Sequence, residues 1–461
     1  MKHLLVFILA VAAALALPNR ARAADPQVQS LGQAFLANLP SDWYSIQGNW
    51  QYFSVANCLS TGQSCLGNNP STPYGYPGFG NPAQPSPFNI GKSEAIVIFL
   101  RTPPQMRYFS FTQYLVTRGS PPSYVYGSMS DALNLQKLST LQAVTPTPNV
   151  FNEYAVIVWT ADLNTLASVK NQLALQGIQA PNVNFIPLPV QLPLNLGNAS
   201  SADTFAMVMR TALPNSQAQL NAYMGLSPFF VLKVGPTNPP TASPAPTIGY
   251  ASEVSGVSEN PQLNATVNQL VSNIRKNLAS SFIFQSQNVG FSKVLGLNCI
   301  AALATCDYDS HDDLVADDLT RVLTVRNLND VVIVAGVNHQ TTGKALYINH
   351  SVSDPVQSLG VVAVDDTLLG ESSALYYAGV TSPTDPRVAA FHNLYAYAIS
   401  YNCGTLKYCM NIPAPTLSNP VGLAPGAPFL LWGRAYVDPL TGVRPDSAEL
   451  VTHQVLVGTH K

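Results

Sequence analysis

Charge is scarce in this sequence. Lysine, arginine, aspartate and glutamate make up 10% of 461 residues, and the formal net charge is −2. No basic stripe is present to neutralise a phosphate backbone, which argues against a nucleic-acid partner. No basic amphipathic helix points to a lipid surface. Beyond the N-terminus no apolar run reaches the roughly 20 residues of a spanning helix, so no membrane span is expected. G-x-S-x-G and H-E-x-x-H are both missing, which disfavours the common serine hydrolases and zincins.

What is present begins with a leader. Residues 1–23 read as a bacterial-type signal peptide, with Lys2 and His3, an apolar run over 4–17, and the small-x-small site Ala21-Arg22-Ala23. The mature chain is therefore expected to be secreted or periplasmic. Six cysteines suit that compartment, falling as Cys58/Cys65, Cys299/Cys306 and Cys403/Cys409. Neighbour pairing closes the shortest loops at the least entropic cost, so three local disulfides are expected. A metal site is the weaker reading, because none of the pairs is C-x-x-C. With 47% hydrophobic residues, 37 prolines and 29 glycines, the chain reads as loop-rich and β-rich, with core enough for two domains.

Along the chain, Asp25-Pro26 opens a helix with Val28, Leu31 and Phe35 on one face, stopped by Pro40. Residues 54–90 read as an irregular arm rich in Pro, Gly and aromatics. Its glycines lie among prolines and make no nucleotide loop. Tyr74, Tyr76 and Phe79 are candidate groove-lining residues, or simply dock the loop on a sheet. Strand patterns follow over 94–100, 107–111, 154–159, 205–213 and 229–234. Asp162 caps a helix that Gly177 ends. The segment 235–248, GPTNPPTASPAPTI, reads as a semi-rigid linker. Beyond it Leu263, Val267, Leu270, Val271, Ile274 and Leu278 form one helical stripe. The expected units are 24–90 (helix and arm), 91–234 (first module), the linker, and 249–461 (second module).

Three matches recur in the same order. The segment 94–100 with 107–111 resembles 330–336 with 344–348. Phe151 and Tyr154 are matched by Phe391 and Tyr395. Phe205, Arg210 and Pro214 are matched by Phe429, Arg434 and Pro439. These point to a duplicated module, with a ligand groove expected between the copies. The segments RYFSFTQYL and GVNHQTTGKALYIN are similar to those of an uncharacterised family of secreted bacterial proteins. The Phe…Arg…Pro endings resemble a β-sandwich domain of unknown function. That resemblance implies a fold and no activity.

Candidate chemistry centres on 330–353, read as a β-hairpin turning at Thr342-Gly343. In that register His339, Lys344 and His350 share one face, while Asn338, Tyr347 and Asn349 share the other. His339 and His350 lie roughly 13 Å apart, too far to share a metal. His339 is the candidate acid/base, with Lys344 beside it lowering its pKa. Tyr347 and Asn338 are the candidate orienting groups, and His350 a ligand contact. The alternative is a polar strand end. A second constellation is acidic: Asp307, Asp309, His311, Asp312, Asp313, Asp317 and Asp318. His311 and Asp312 stand where an EF-hand loop needs a ligand and a glycine, so an EF-hand is disfavoured. A looser Ca²⁺ or other divalent site at Asp307, Asp309 and His311 stays open beside a solvated acidic loop. His392, Arg210 and Arg434 are third-rank candidates, the arginines read mainly as structural ion pairs.

The expectation is an α+β protein of two related, sandwich-like β-rich modules with edge helices. Two functions stand: an extracytoplasmic enzyme acting on a small or glycan-like ligand at the module interface, or a non-catalytic glycan-binding or envelope-associated protein. Convergence of His339, Lys344 and Tyr347 on one pocket favours the first.

Overall fold

A computed structural model describes residues 23–61, 64–80, 87–119, 123–189, 191–239, 241–246, 250–287, 289–292, 296–306, 309–317, 322–377 and 391–461. Of the segment expected to be a leader, 1–23, only Ala23 lies within these. Four main sheets form, two in each half. In the first half Val183–Pro187, Tyr154–Thr160, Ala95–Arg101, Phe229–Pro236 and Trp43–Gln47 make a five-stranded sheet in that order. Asn49–Tyr52, Tyr74–Gly78, Thr204–Pro214, Met106–Arg118 and Ser123–Ser128 make a six-stranded sheet, with Leu133–Asn134 joined to Met106–Arg118. The second half repeats this order. Cys409–Asn411, Leu394–Ser400, Val331–Val337, Gln454–His460 and Phe282–Gln287 form its five-stranded sheet. Gly290–Ser292, Asp313–Asp317, Pro428–Tyr436, Tyr347–Asp354 and Leu359–Asp365 run through its six-stranded one, joined by Leu323–Thr324.

Burial follows from the strand patterns. Residues 95–100 and 331–337 are buried on both faces, as continuous β-branched runs require. One face of the first five-stranded sheet packs on the helices Pro26–Ala37 and Leu163–Ala174, through Val28, Phe35, Leu166 and Val169. Its other face, with Ile96, Ile98 and Leu100, packs on Phe109, Phe111 and Met207 of the six-stranded sheet. In the second half, Gln262–Asn277 covers Val331 and Ile333, while Val332 and Val334 meet Ile348 and Val352. The outer faces of the two six-stranded sheets then meet through Tyr108, Tyr347, Tyr436 and Val437. The layers therefore run helix, sheet, sheet, sheet, sheet, helix.

Three disulfides join Cys58 to Cys65, Cys299 to Cys306 and Cys403 to Cys409. The first two close arms that cross between halves. Cys65 N and Gly67 N donate to Gln357 O and Ser358 O, each at 2.7 Å. Reciprocally, Cys306 N donates to Val125 O at 2.8 Å. Gly360 permits the first docking, since a Cβ there would stand 2.2 Å from Asn68 O.

Three expectations need correction. The segment 330–353 is not a hairpin: Val331–Val337 pairs with Leu394–Ser400 and Gln454–His460, whereas Tyr347–Asp354 lies in the other sheet. The chain arches between layers instead of folding back in one plane. The 24–90 region does not stand apart, because Trp43–Gln47, Asn49–Tyr52 and Tyr74–Gly78 are strands of the first half's sheets. The segment expected as a semi-rigid linker, 235–248, is docked on the first half where it is described: Ser243 O accepts from Leu163 N, and Ala245 N donates to Ala161 O. Among the described residues, no helix is long and apolar enough to cross a membrane.

Candidate functional site

The six-stranded sheet of the first half turns a row of tyrosines outward. Ser123–Ser128 alternates, placing Tyr124 and Tyr126 on one face. Tyr126 lies nearly parallel to Tyr114 (centroids 4.7 Å, planes 13° apart) and to Tyr124 (6.2 Å, 7°). Its backbone sits at φ +46°, a left-handed conformation that a bulky residue holds only under constraint. Tyr74, Tyr76, Tyr124 and Tyr126 line a cavity of about 770 Å³, walled on one side by the disulfide arm (Phe53, Cys58, Cys65, Leu66) and closed from the second half by Asp309, Asp313, Arg434 and Tyr436. Such a volume suits a small ligand.

The cavity floor is charged and buried. Arg210 donates from Nη1 to Thr112 Oγ1 at 3.0 Å and from Nη2 to the Tyr114 hydroxyl, and stands 5.7 and 5.6 Å from the Tyr74 and Tyr114 ring centres. Arg434 reaches Ser351 Oγ at 2.7 Å and Gly67 O at 3.1 Å, with Asp313 Oδ2 at 3.7 Å. Asp309 accepts from Ser128 N on Oδ2, while its Oδ1 and that of Asp313 have no hydrogen-bond partner among the described residues. Burial raises the pKa of Asp309; it also raises that of Asp313, against the pull of Arg434 and Arg210. Asp312 is pushed well above the carboxylate range by burial and by Asp313 beside it. Its oxygens are held by Ser310 Oγ and, at 2.6 Å, Ser110 Oγ.

Of the expected ligand contacts, Tyr74 and Tyr76 line the cavity, but Phe79 packs on Phe88 against the first core (5.1 Å). The proposed catalytic set does not converge. His339 Nδ1 meets Glu259 Oε1 at 2.8 Å. Lys344 is buried between Asp438 Oδ2 (2.6 Å) and Glu449 Oε2 (2.8 Å), which raise its pKa despite burial, and its bonds go to these carboxylates and to Ser255. Tyr347 is fully buried between the halves, its hydroxyl bonded to Asn69 Nδ2 and Ser71 Oγ. Asn338 Oδ1 accepts from Gln340 N and shapes the turn. His350 is not a ligand contact either. Its Nε2 meets the Tyr395 hydroxyl at 2.6 Å, and its ring stands edge-on to His453 at 4.8 Å. Because the chain arches, His339, His350 and His453 share one tiny internal cavity, against the separation a flat hairpin implied.

The acidic constellation also splits. Asp307 lies outside the described residues. His311 stacks on Tyr250 (3.7 Å, 4°) and faces Asp131 at 3.6 Å, while Asp309 turns to Ser128 and the cavity. Among the described residues, no three His, Cys, Asp or Glu side chains are grouped to hold a metal. His392 is exposed.

Sequence reasoning passed over Tyr114, Tyr124, Tyr126 and His453. The alternation in SYVYGS was the available signal for two of them. The chain matches no family model, and no curated protein is similar to it in sequence.

Proposed function

We propose that this is an exported binding protein that holds a glycan-like ligand in the cavity where its two halves meet. The observation that carries the reading is the pair Tyr124 and Tyr126 on the cavity wall, with Tyr114 stacked behind Tyr126, beside a floor of buried arginine and aspartate groups. A sugar ring has an apolar C–H face that stacks on a flat phenol and a hydroxylated edge that bonds to such a floor. Export is read from the leader and fits the three disulfides. The shared strand order of the halves supports an origin by duplication.

The experiment is a titration of the mature protein with an oligosaccharide panel, followed by calorimetry and tyrosine fluorescence. Tyr126→Gly removes the ring while accepting the left-handed backbone. It is expected to weaken binding by about tenfold or more, as loss of an aromatic anchor does. Absence of binding by every saccharide at millimolar concentration would end the reading.

A second reading is favoured by one feature, the Oδ1 atoms of Asp309 and Asp313 at the cavity, which have no partner among the described residues. Two carboxyl groups beside a bound glycan are the equipment of glycoside hydrolysis. Release of reducing ends by the wild type, lost in Asp309→Asn, would favour this reading over simple binding.

A further inference from the structure

We infer that Arg210 recognises a carboxylate, so that the ligand of the cavity is an acidic sugar, a uronate ring and not a neutral one. The inference rests on the glycan reading of the cavity and names the ligand class within it.

Arg210 differs from the other fully buried arginines among the described residues, Arg434 and Arg444, and from the half-buried Arg101, Arg107 and Arg118. Arg101, Arg118, Arg434 and Arg444 have carboxylate oxygens at 3.3, 3.0, 3.7 and 2.6 Å, and Arg107 contacts Asp366. Among the described residues, no carboxylate lies within ion-pair distance of Arg210, although it is only 6% exposed. Its polar partners are two neutral hydroxyls, those of Thr112 and Tyr114. The Tyr74 and Tyr114 rings add cation–π attraction, a weaker compensation than a counterion. A buried cation without an anion is costly to keep, and a guanidinium in a cavity wall offers a planar fork matched to a carboxylate.

The nearby acids Asp309 and Asp313 feel the pull of Arg210 but, among the described residues, make no direct ion pair with it. Asp313 already faces Arg434, and Asp309 is tied to Ser128 N. The tyrosine pair limits the anion's form, since a ring stacked on Tyr124 and Tyr126 would direct an edge group towards the floor. A carboxylate on a sugar ring meets both demands. Free phosphate meets only the second.

The test compares galacturonate and glucuronate oligomers with galactose and glucose oligomers of equal length, and with inorganic phosphate, by calorimetry on the mature protein. The acidic oligomer is expected to bind about tenfold or more tightly than its neutral twin, the scale of a charge-assisted bidentate contact. Arg210→Gln should bring the affinity for the acidic oligomer down to that of the neutral one, and Arg210→Lys should restore part of the gap. If Arg210→Gln fails to fold, the wild-type comparison and Arg210→Lys still decide. Equal binding of acidic and neutral oligomers overturns the inference and leaves the glycan reading standing. Phosphate binding as tight as uronate, or a preference that survives Arg210→Gln, also overturns it. Binding by no saccharide removes the glycan reading, and the inference with it.

Discussion

The two halves of this protein share a strand order and fill it differently. Arg210 and Arg434 sit on equivalent strands, opposite Ser110 and Asn349, and each is followed three residues later by a left-handed residue, Leu213 (φ 51°) or Val437 (φ 48°). Arg434 holds Asp313 and Ser351 within its own half and reaches across to Gly67 O of the first, whereas Arg210 faces the cavity among tyrosines. The interiors diverge too. The first half has Phe111 and Phe229 with Trp50, which stacks on Phe229 at 3.7 Å, whereas the second has His350 and His453 beside Tyr395. Space for the histidines comes from Gly433, where a Cβ would stand 2.8 Å from His453 Cε1 and 2.9 Å from His350 Cε1. One strand order thus carries an arginine with a carboxylate beside it in one half and, among the described residues, one without a direct carboxylate partner in the other.

The sharpest way to break this comparison is to remove each arginine in turn. Arg434→Met leaves Asp313 buried without its cation and should lower unfolding stability by about 3–5 kcal/mol. Arg210→Met breaks no direct ion pair among the described residues, removes only a longer-range pull on Asp309 and Asp313, and should cost less, about 1–2 kcal/mol. Denaturant melts check both, and equal losses would erase the distinction. The matched disulfides come next. Cys58–Cys65 and Cys299–Cys306 close loops of the same sequence separation, 7. Replacing either pair by serine should cost about 2.5 kcal/mol by chain entropy. Of these two, Cys58–Cys65 lines the cavity and Cys299–Cys306 does not, so loss of the first alone should weaken ligand binding as well.

A third prediction concerns acid. Burial depresses the pKa of His453 to about 3 and that of His350 well below 6.5. Both rings are therefore neutral in the fold and take up protons on unfolding below about pH 6.5. Stability from this source falls by about 1.4 kcal/mol per histidine per unit as pH drops below that, a fall that for His453 continues to about 3. Asp309, Asp312 and Asp313, raised by burial, act oppositely: their cost is present at neutral pH and disappears on acidification. His453→Phe gives the second half an aromatic like Phe229 and should remove about half of the histidine slope. An unchanged slope in denaturant melts across that window would contradict the assignment.

Much of the architecture was legible because its signals are local. The β-branched runs, the Asp25 and Asp162 caps, the apolar stripe over 263–274 and the neighbouring cysteines each settle their own conformation within a few residues. The site was less legible because its signals are distant. Two alternating runs around Gly343 look alike whether they pair in one sheet or arch between two. What decides is pairing with Leu394–Ser400 and Gln454–His460, far along the chain. The embedded arginines stood out as sparse charge in apolar strands, but sequence could not tell which one lacked a carboxylate. That depends on where Asp313 and the arm at Gly67 come to rest. His453 gave no signal alone, being a single histidine before a final strand.

The most direct measurement is a crystal structure of the mature protein soaked with the saccharide that binds most tightly. A sugar ring is expected against Tyr124 and Tyr126, with its polar edge at Arg210. Density on another surface, or an empty cavity at saturating ligand, would contradict the assignment of this cavity as the binding site.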